Sequence, residues 1–391
     1  MKLSFAISGV AIDEVECSIK IGRLPYYILK EAIALKAGAL LNDSLIEITA
    51  PSLGQWLLFY AAGDLKKHEW VISNNKFLVE KLQSKWLNIS CPVRQIMPGE
   101  YLTLCALTGT WEQSTSLSSY SLEPLSGINL LNNAISTVEE SLQMAARDIA
   151  ELNKPALLLL SAGVDSGLLC TFLKSNGAKI QAISIKTPWG DELEGAQRTA
   201  EHCGIPLTIL ELSEKDLVDG IKDALSWLQD CDPQTTIIQL LVSIAYRYAQ
   251  ERKMDLITGM GSDLLNSINE TGMNDIVDGA DRIISVSRSG LMQTNGLAPA
   301  GESKIHHPYW RPATISAQLA VAPKLKSANG HEKYYLRALA ERRLPKEAAW
   351  GVKTAIHRGS NLEEGLSQAV SPLSLNAFLF KKWQELKGVL Q

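Results

Sequence analysis

The chain has 391 residues, of which 46% are hydrophobic and 20% are charged, and its net charge is −4. This length is enough for two domains with their own cores, and the composition is that of an ordinary globular protein. The acidic net charge predicts no nucleic-acid partner. No apolar stretch reaches the length of a membrane span, which predicts no membrane partner, and no signal-peptide pattern follows Met1, which predicts a cytoplasmic protein.

Short β-like segments dominate the first 125 residues. Apolar and β-branched runs predict strands and one helix there; the strands lie at 45–49, 55–60, 70–73 and 101–107, and the helix at 26–41. Residues 114–127 are rich in serine and contain Pro124, which is typical of a linker. The sequence thus predicts a small amino-terminal α+β domain over residues 1–125 and a larger domain over residues 126–391.

Helices and strands alternate after the linker. Helices are predicted at 129–151, 167–175, 192–202, 213–228 and 236–252, and strands at 156–160, 179–186, 207–212 and 255–258. Ser213 and Asp216 form a capping pair at the start of one helix. This alternation predicts an α/β fold, in which helices cover a parallel sheet and ligands bind at the carboxyl ends of the strands. The remainder, from about residue 283, is predicted to be mainly helical.

The most informative segment reads PALLLLSAGVDSG, at residues 155–167. A buried strand ends there in a turn of small residues, Ser161 to Ser166, and a helix follows. Free N–H groups at the start of a helix bind anions, and an aspartate in such a turn can hold a magnesium ion shared with a phosphate. The turn contains no lysine, so it differs from a Walker loop. The alternative is a structural turn that binds no ligand, because Ser, Gly and Asp are common at strand ends.

The turn resembles the pyrophosphate-binding loop, SGGxDS, of the ATP pyrophosphatases. Further segments extend the resemblance; they read DELEGA at 191–196, TGMGSD at 258–263, HHPYWRP at 306–312, KYYLR at 333–337 and KTAIHRGS at 353–360. In this order the segments resemble the synthetase domain of asparagine synthetases, and more closely that of β-lactam and carbapenam synthetases. The resemblance covers roughly residues 128 to 375.

The resemblance implies an enzyme that uses ATP and Mg²⁺ as cofactors. It assigns residues of this chain to four roles. These are, for nucleotide binding, Ser161, Gly163, Asp165, Ser166, Ile183, Ser184, Ile185, Gly259 and Lys333; for magnesium, Asp165 and Asp263; for catalysis, Lys353; and for the substrate pocket, Met260, Gly261 and Ser262. Backbone N–H groups of the turn would hold pyrophosphate, and the strand at 183–185 would flank the adenine.

The same resemblance implies a reaction in two steps. A carboxylate attacks the α-phosphorus of ATP to give an acyl-adenylate and pyrophosphate, and an amine then displaces AMP. The predicted function is an amide or lactam synthetase of specialised metabolism, such as antibiotic biosynthesis. Its substrates would be a small-molecule or peptide carboxylate and an amine. A homo-oligomer is possible on this reading. The alternatives are an ammonia-using asparagine synthetase relative, a peptide macrolactam cyclase, and a pseudoenzyme that binds a partner or a nucleotide.

Four positions depart from the family pattern. Lys2 stands where the family's amino-terminal glutaminase has its cysteine nucleophile, so the first domain is predicted to be a degenerate glutaminase-like (Ntn-type) domain without that nucleophile. Met260 stands at the tyrosine of the β-lactam enzymes' Tyr–Glu pair, and the Glu position falls near Leu291; neither side chain accepts a proton. Ala162 replaces a glycine of the turn, which is tolerable at negative φ and costly at positive φ.

Overall fold

The computed structural model describes two sets of residues. It describes 20–21, 24–25, 45–49, 58–62, 70–73, 76–82, 92–96, 100–105 and 111–115 in the amino-terminal part, and 125–266, 303–351 and 361–390 in the rest. The chain divides into two compact units. The first comprises Met1–Ser118, Ile284–Leu297 and Trp383–Gln391, and the second comprises Ser119–Ile283 and Ala298–Lys382.

The described part of the first unit is built on antiparallel strands. They are β1 (Lys20–Ile21), β2 (Leu24–Pro25), β3 (Leu45–Thr49), β4 (Leu58–Ala62), β5 (Trp70–Ser73), β6 (Arg94–Ile96), β7 (Glu100–Cys105) and β8 (Trp111–Thr115), with helix α1 at Lys76–Leu82. Two three-stranded sheets have the orders β3-β7-β8 and β5-β4-β6. The linker prediction from residue 114 is wrong at its start, because the ladder with β7 extends through Thr115. The predicted helix at 26–41 lies outside the described residues.

The second unit is built around a six-stranded sheet. Its strands are β9 (Ala156–Leu159), β10 (Ile180–Thr187), β11 (Gly190–Asp191), β12 (Leu207–Glu211), β13 (Asp255–Ile257) and β14 (Ile305–His306). The order is β11-β10-β9-β13-β14, with β12 also paired to β10. All pairs are parallel except β10 with β11. The predicted α/β fold with a parallel sheet is confirmed, and β11 makes the sheet mixed.

The described helices after residue 125 lie in the second unit, apart from the end of the last one, which belongs to the first unit. They are α2 (Leu130–Glu151), α3 (Val164–Ser175), α4 (Leu193–Cys203), α5 (Glu214–Leu228), α6 (Pro233–Glu251), α7 (Ser262–Asn266), α8 (Pro312–Leu319), α9 (Pro323–Lys326), α10 (Tyr334–Glu341), α11 (Lys346–Trp350), α12 (Leu362–Ala369) and α13 (Leu375–Leu390). The predicted capping pair is present, since the Ser213 side chain accepts from Asp216 N–H and the Asp216 carboxylate accepts from Ser213 N–H. Helix α6 begins three residues earlier than predicted, because Asp232 caps it and Pro233 suits its first position.

The region from residue 303 onward contains short strands as well as the predicted helices. Besides β14, the strands β15 (Ser327–Ala328) and β16 (His331–Glu332) form a small antiparallel pair. A 3₁₀ turn at Pro308–Trp310 follows β14. Within the described part of the chain, no helix combines the length and the hydropathy needed to cross a membrane.

A buried charge cluster lies at the amino edge of the sheet. Asp255, the first residue of β13, is 2% exposed. Its carboxylate accepts from Lys154 Nζ at 2.5 Å and from Lys304 N–H at 2.8 Å, and it bonds His306 Nε2 at 2.9 Å. Burial alone would raise the pKa of Asp255, but these bonds, first that of His306, outweigh it and lower the pKa to about 2.

This lowered pKa predicts an acid-dependent loss of stability. Because the folded pKa lies below the ordinary value of 3.8, the cluster stabilises the fold above about pH 4 and loses that contribution as the pH falls towards 2. Asp255→Asn should lower the free energy of unfolding by about 2 kcal/mol at pH 7, and by roughly half as much at pH 3. Urea denaturation at both pH values measures this. Asp219→Asn, which breaks an exposed pair with Lys215, should have almost no effect.

Candidate active site

The turn after β9 is held together by hydrogen bonds from its backbone to its own serine hydroxyls. Ser161 N–H donates to Ser166 Oγ and Gly163 N–H donates to Ser161 Oγ, both at 3.1 Å. Two of the backbone donors that the sequence assigned to pyrophosphate are therefore used within the turn. The first N–H groups of α3, from Val164 to Ser166, have no carbonyl partner within the helix. An anion would therefore find its N–H donors in the first turn of α3 rather than in the turn that precedes this helix.

Ala162 is accommodated by a glycine on the neighbouring helix. Its φ is not positive, so the side chain adds no backbone strain. Gly195 in the first turn of α4 lies against it, and a Cβ built on Gly195 would stand 2.4 Å from the Ala162 Cβ and 2.9 Å from its Cα. The alanine that departs from the family pattern therefore fits because α4 presents no side chain there.

This contact makes Gly195 a sensitive position. Gly195→Ala should displace the turn, because carbon atoms cannot approach to 2.4 Å, and should weaken the ATP binding that the sequence predicts by about tenfold. Isothermal titration with ATP measures the affinity. The double variant Gly195→Ala with Ala162→Gly lacks the Cβ at position 162 and therefore the 2.4 Å contact, so part of the affinity for ATP should return. Equal affinity of Gly195→Ala and the wild-type chain would contradict the prediction.

Asp165, Asp263 and Lys333 meet at this turn. Lys333 Nζ lies 2.5 Å from Asp165 Oδ2 and 2.6 Å from Asp263 Oδ1. The side chains of Lys333 and Asp165 are 3% and 8% exposed, whereas that of Asp263 is 59% exposed. The ammonium is therefore buried between one buried and one accessible carboxylate. The sequence paired the two aspartates but left Lys333 open between a phosphate contact and a surface lysine, and the burial of its side chain rules out the surface lysine.

Neighbouring elements hold Asp165 in place. Ser262, at the start of α7, donates its hydroxyl to Asp165 Oδ1 at 2.7 Å, and the phenol of Tyr309 donates to the Asp165 carbonyl at 3.1 Å. Burial, and then the charge of Asp165, raises the pKa of Tyr309 well above its usual value, so the phenol keeps its proton. The sequence assigned Ser262 to the substrate pocket and gave Tyr309 no role. The HHPYWRP segment was the only signal for Tyr309.

Glycines let the second acidic turn approach the first. A Cβ on Gly259 would lie 3.3 Å from the Ser166 backbone nitrogen. Gly261 has φ +98°, and a Cβ there would lie 2.9 Å from the ring of Trp310. Both positions require close packing, and Gly261 also requires a left-handed backbone. They bring Ser262 and Asp263 to the turn after β9.

Met260 follows a polar pair at the end of β13. Its N–H donates to Thr258 Oγ1 at 3.3 Å, and Thr258 Oγ1 lies 2.5 Å from His307 Nδ1. Burial, and then the neighbouring His306, lowers the pKa of His307 to about 3. The ring is neutral at pH 7, is hydrogen-bonded to the Thr258 hydroxyl through Nδ1, and is a weak base. His306 and His307 thus have separate partners, Asp255 and Thr258, as adjacent residues leaving a strand do.

The predicted adenine-flanking residues lie on β10, beside the strand that leads into the turn. Ile183, Ser184 and Ile185 are all buried. Leu160 N–H donates to the Ile183 carbonyl at 2.9 Å, which places this strand next to Ser161. The structure therefore brings these residues to the carboxyl edge of the sheet, near the turn at residues 161–166.

Lys353 lies outside the described residues, but the chain just before it is well anchored. Arg337 Nη1 donates to the carbonyls of Ala349 and Gly351, each at 2.9 Å. A Cβ on Gly351 would lie 2.7 Å from the Glu347 carbonyl oxygen, so the chain passes tightly there. Arg337 lies on α10, four residues after Lys333, which is the N-cap of this helix. Helix α10 therefore fixes the chain two residues before Lys353.

Comparison with known proteins identifies the family. The asparagine synthase family model matches residues 137–268 and 294–374, which is more than half of the chain. The chain belongs to the asparagine synthase family. The curated protein "carboxyethyl-arginine beta-lactam-synthase" of Streptomyces clavuligerus is 21% identical over 240 residues. That match covers 60% of this chain and 46% of the relative, so the chain spans about half of the relative's length.

Solved structures show more distant likeness. An NH3-dependent NAD synthetase from Campylobacter jejuni has a TM-score of 0.31 and 17% identity, covering 65% of this chain and 95% of the synthetase. A predicted subunit of tRNA methyltransferase from Methanocaldococcus jannaschii has a TM-score of 0.25 and 18% identity, covering 50% of this chain and 92% of its own.

Proposed function

We propose that this chain is an ATP-dependent ligase that joins a carboxylate to an amine and releases AMP and pyrophosphate. A substrate carboxylate oxygen attacks the α-phosphorus of ATP, and the bond from that phosphorus to the bridging oxygen breaks. Pyrophosphate leaves, and the acyl group is held as its adenylate. The amine nitrogen then attacks the acyl carbon, AMP leaves, and the amine gives up a proton. Membership of the asparagine synthase family supports this class of reaction.

One observation carries the proposal. Asp165, Asp263 and Lys333 converge at the first turn of a helix that follows a buried strand. A helix N-terminus attracts a polyphosphate through its free N–H groups and its dipole. Carboxylates and an ammonium at the same place supply groups for a metal and for phosphate oxygens. A merely structural ion pair would not require this position.

The two aspartates fit a magnesium ion. Mg²⁺ in nucleotide enzymes is held by one or two carboxylates and completes its shell with phosphate oxygens and water. Asp165 and Asp263 offer that set, and among the described residues no cluster of three or more histidine, cysteine or acidic side chains forms a larger site. When bound, the ion would neutralise charge on the β- and γ-phosphates and make pyrophosphate a better leaving group.

Two lysines would stabilise charge in the reaction. Lys333 would bind phosphate oxygens, and Lys353, by its place in KTAIHRGS, would face the acyl oxygen and the leaving phosphate. Met260 would line the acceptor side of the pocket without taking a proton. His307 would stay neutral behind it. The proton of the amine therefore leaves by a route other than the Tyr–Glu pair of β-lactam enzymes, or the amine binds already neutral.

The substrate class that we propose is a small-molecule or peptide acid with an amine, with ring closure to a lactam in specialised metabolism as the first choice. The named activity of the Streptomyces relative supports a lactam. The test incubates the chain with ATP, Mg²⁺ and a panel of amino-acid and peptide carboxylates, and measures exchange of labelled pyrophosphate into ATP. Exchange with one acid, followed by AMP and an amide product in the mass spectrum, would support the proposal. ADP and phosphate as products would refute it.

A further inference from the structure

We propose that Lys333 is the internal counter-cation of the Asp165–Asp263 pair, and that a divalent metal enters this pair only together with a polyphosphate that takes over the ammonium. This inference rests on the proposed function, because it concerns the same nucleotide site. It adds that the binding of the metal and the binding of the nucleotide depend on each other.

The contacts establish the competition. Nζ of Lys333 lies 2.5 Å from one carboxylate and 2.6 Å from the other, so the two contacted oxygens are at most roughly 5 Å apart. An octahedral magnesium ion places its ligand oxygens about 2.1 Å from itself and up to about 4 Å from each other. A metal shared by these two oxygens would occupy the space of the ammonium nitrogen. The oxygens can therefore serve the lysine or the metal, one at a time.

Burial explains why the pair needs a cation at all times. Asp165 is 8% exposed and Lys333 3% exposed, so either charge left alone would pay a large desolvation penalty. Lys333 therefore cannot simply swing away. The metal must arrive as the ammonium leaves, and the ammonium must find another anion close by.

A polyphosphate at the start of α3 supplies that anion. The lysine has a flexible four-carbon stem, and its backbone at φ +56° stands at the start of α10. The first turn of α3 carries Asp165 itself, so phosphate bound to its N–H groups would lie beside Nζ. Each charged group keeps a partner of opposite sign in the exchange, since the metal replaces the ammonium at the aspartates and the phosphates replace the aspartates at the ammonium.

The consequence is a reciprocal coupling. If the nucleotide removes the competing cation, it raises the affinity for the metal, and the metal raises the affinity for the nucleotide by the same factor. Without nucleotide, the wild-type chain should bind a divalent metal weakly. Without the ammonium, the same carboxylates should bind the metal well and no longer require the nucleotide.

The experiment measures binding of Mn²⁺ from the paramagnetic resonance signal of the free ion. In the absence of nucleotide, Lys333→Met, which keeps the length of the side chain, should bind Mn²⁺ at least about tenfold more tightly than the wild-type chain. After correction for the Mn²⁺ that the same analogue binds without protein, addition of α,β-methylene-ATP should raise the affinity of the wild-type chain by at least about tenfold and that of Lys333→Met by much less. The double variant Lys333→Met with Asp263→Asn should lose the gain.

Wild-type affinity for Mn²⁺ equal to that of Lys333→Met without nucleotide would overturn the inference. If Lys333→Met does not fold, as judged by circular dichroism, the wild-type arms decide alone: equal Mn²⁺ affinity with and without bound analogue would overturn it. Failure of the proposed function looks different. In that case the analogue does not bind in a calorimeter, while the nucleotide-free comparison still tests the competition between Lys333 and the metal.

Discussion

Asp165→Asn should release pyrophosphate at least about a thousandfold more slowly than the wild-type chain while keeping its fold. The amide has the shape of the carboxylate but neither its charge nor its ability to ligate a metal. Removal of such a fixed charge from a water-poor site costs about 4 kcal/mol of transition-state stabilisation, which corresponds to this factor. The fold should survive because Ser262 can still donate to the amide oxygen and Lys333 keeps Asp263 as a partner. Pyrophosphate release and thermal melting measure the two effects.

The chain offers a matched control at the opposite edge of the sheet. Asp255 is also a buried aspartate held by a lysine, but it lies at the start of β13 rather than after a strand. Asp255→Asn should therefore lower the melting temperature and leave the rate of pyrophosphate release of the folded protein unchanged. A rate for Asp165→Asn within tenfold of the wild-type rate would show that its carboxylate does not bind the metal or organise the phosphates.

The sequence predicted those features that depend on neighbours along the chain. The buried run at 156–160 and the small residues after it predicted a strand, a turn and a helix, and the structure has β9 and α3 there. Ser213 and Asp216 predicted a cap because the two side chains lie three residues apart. The alternation of elements predicted the parallel sheet, since strands connected through helices pair in parallel.

The sequence did not predict contacts between distant segments. Lys333 reaches Asp165 across 168 positions, and Lys154 reaches Asp255 across 101. Neither pairing has a local pattern, because the fold alone brings the partners together. The fit of Ala162 against Gly195 is of the same kind: the sequence marked the alanine as a departure, but only packing shows that a glycine receives it. The prediction that the linker begins at residue 114 was wrong for a similar reason, because strand pairing with β7 overrides the serine-rich composition there.

Lys353→Ala should reduce formation of the amide product by about a thousandfold. In KTAIHRGS this lysine matches the one that stabilises negative charge on the acyl oxygen and on the leaving phosphate in the resembling enzymes. A fixed ammonium beside a developing oxyanion contributes several kcal/mol, on the order of 4, in a site that excludes water. Lys353→Arg should recover little, because a planar guanidinium does not replace a compact ammonium. Product mass spectrometry after incubation with the acid found by pyrophosphate exchange measures both variants.

The control for this prediction lies seven residues earlier. Lys346 is an exposed lysine at the start of α11, on the same stretch that Arg337 anchors through Ala349 and Gly351. Lys346→Ala should leave product formation unchanged, because it removes the same charge from solvent. Full activity of Lys353→Ala would mean that the resemblance in KTAIHRGS has no chemical role. A loss in both variants would point instead to damage of the anchored stretch. Only a loss confined to Lys353 assigns the charge stabilisation to that ammonium, since each variant loses one lysine.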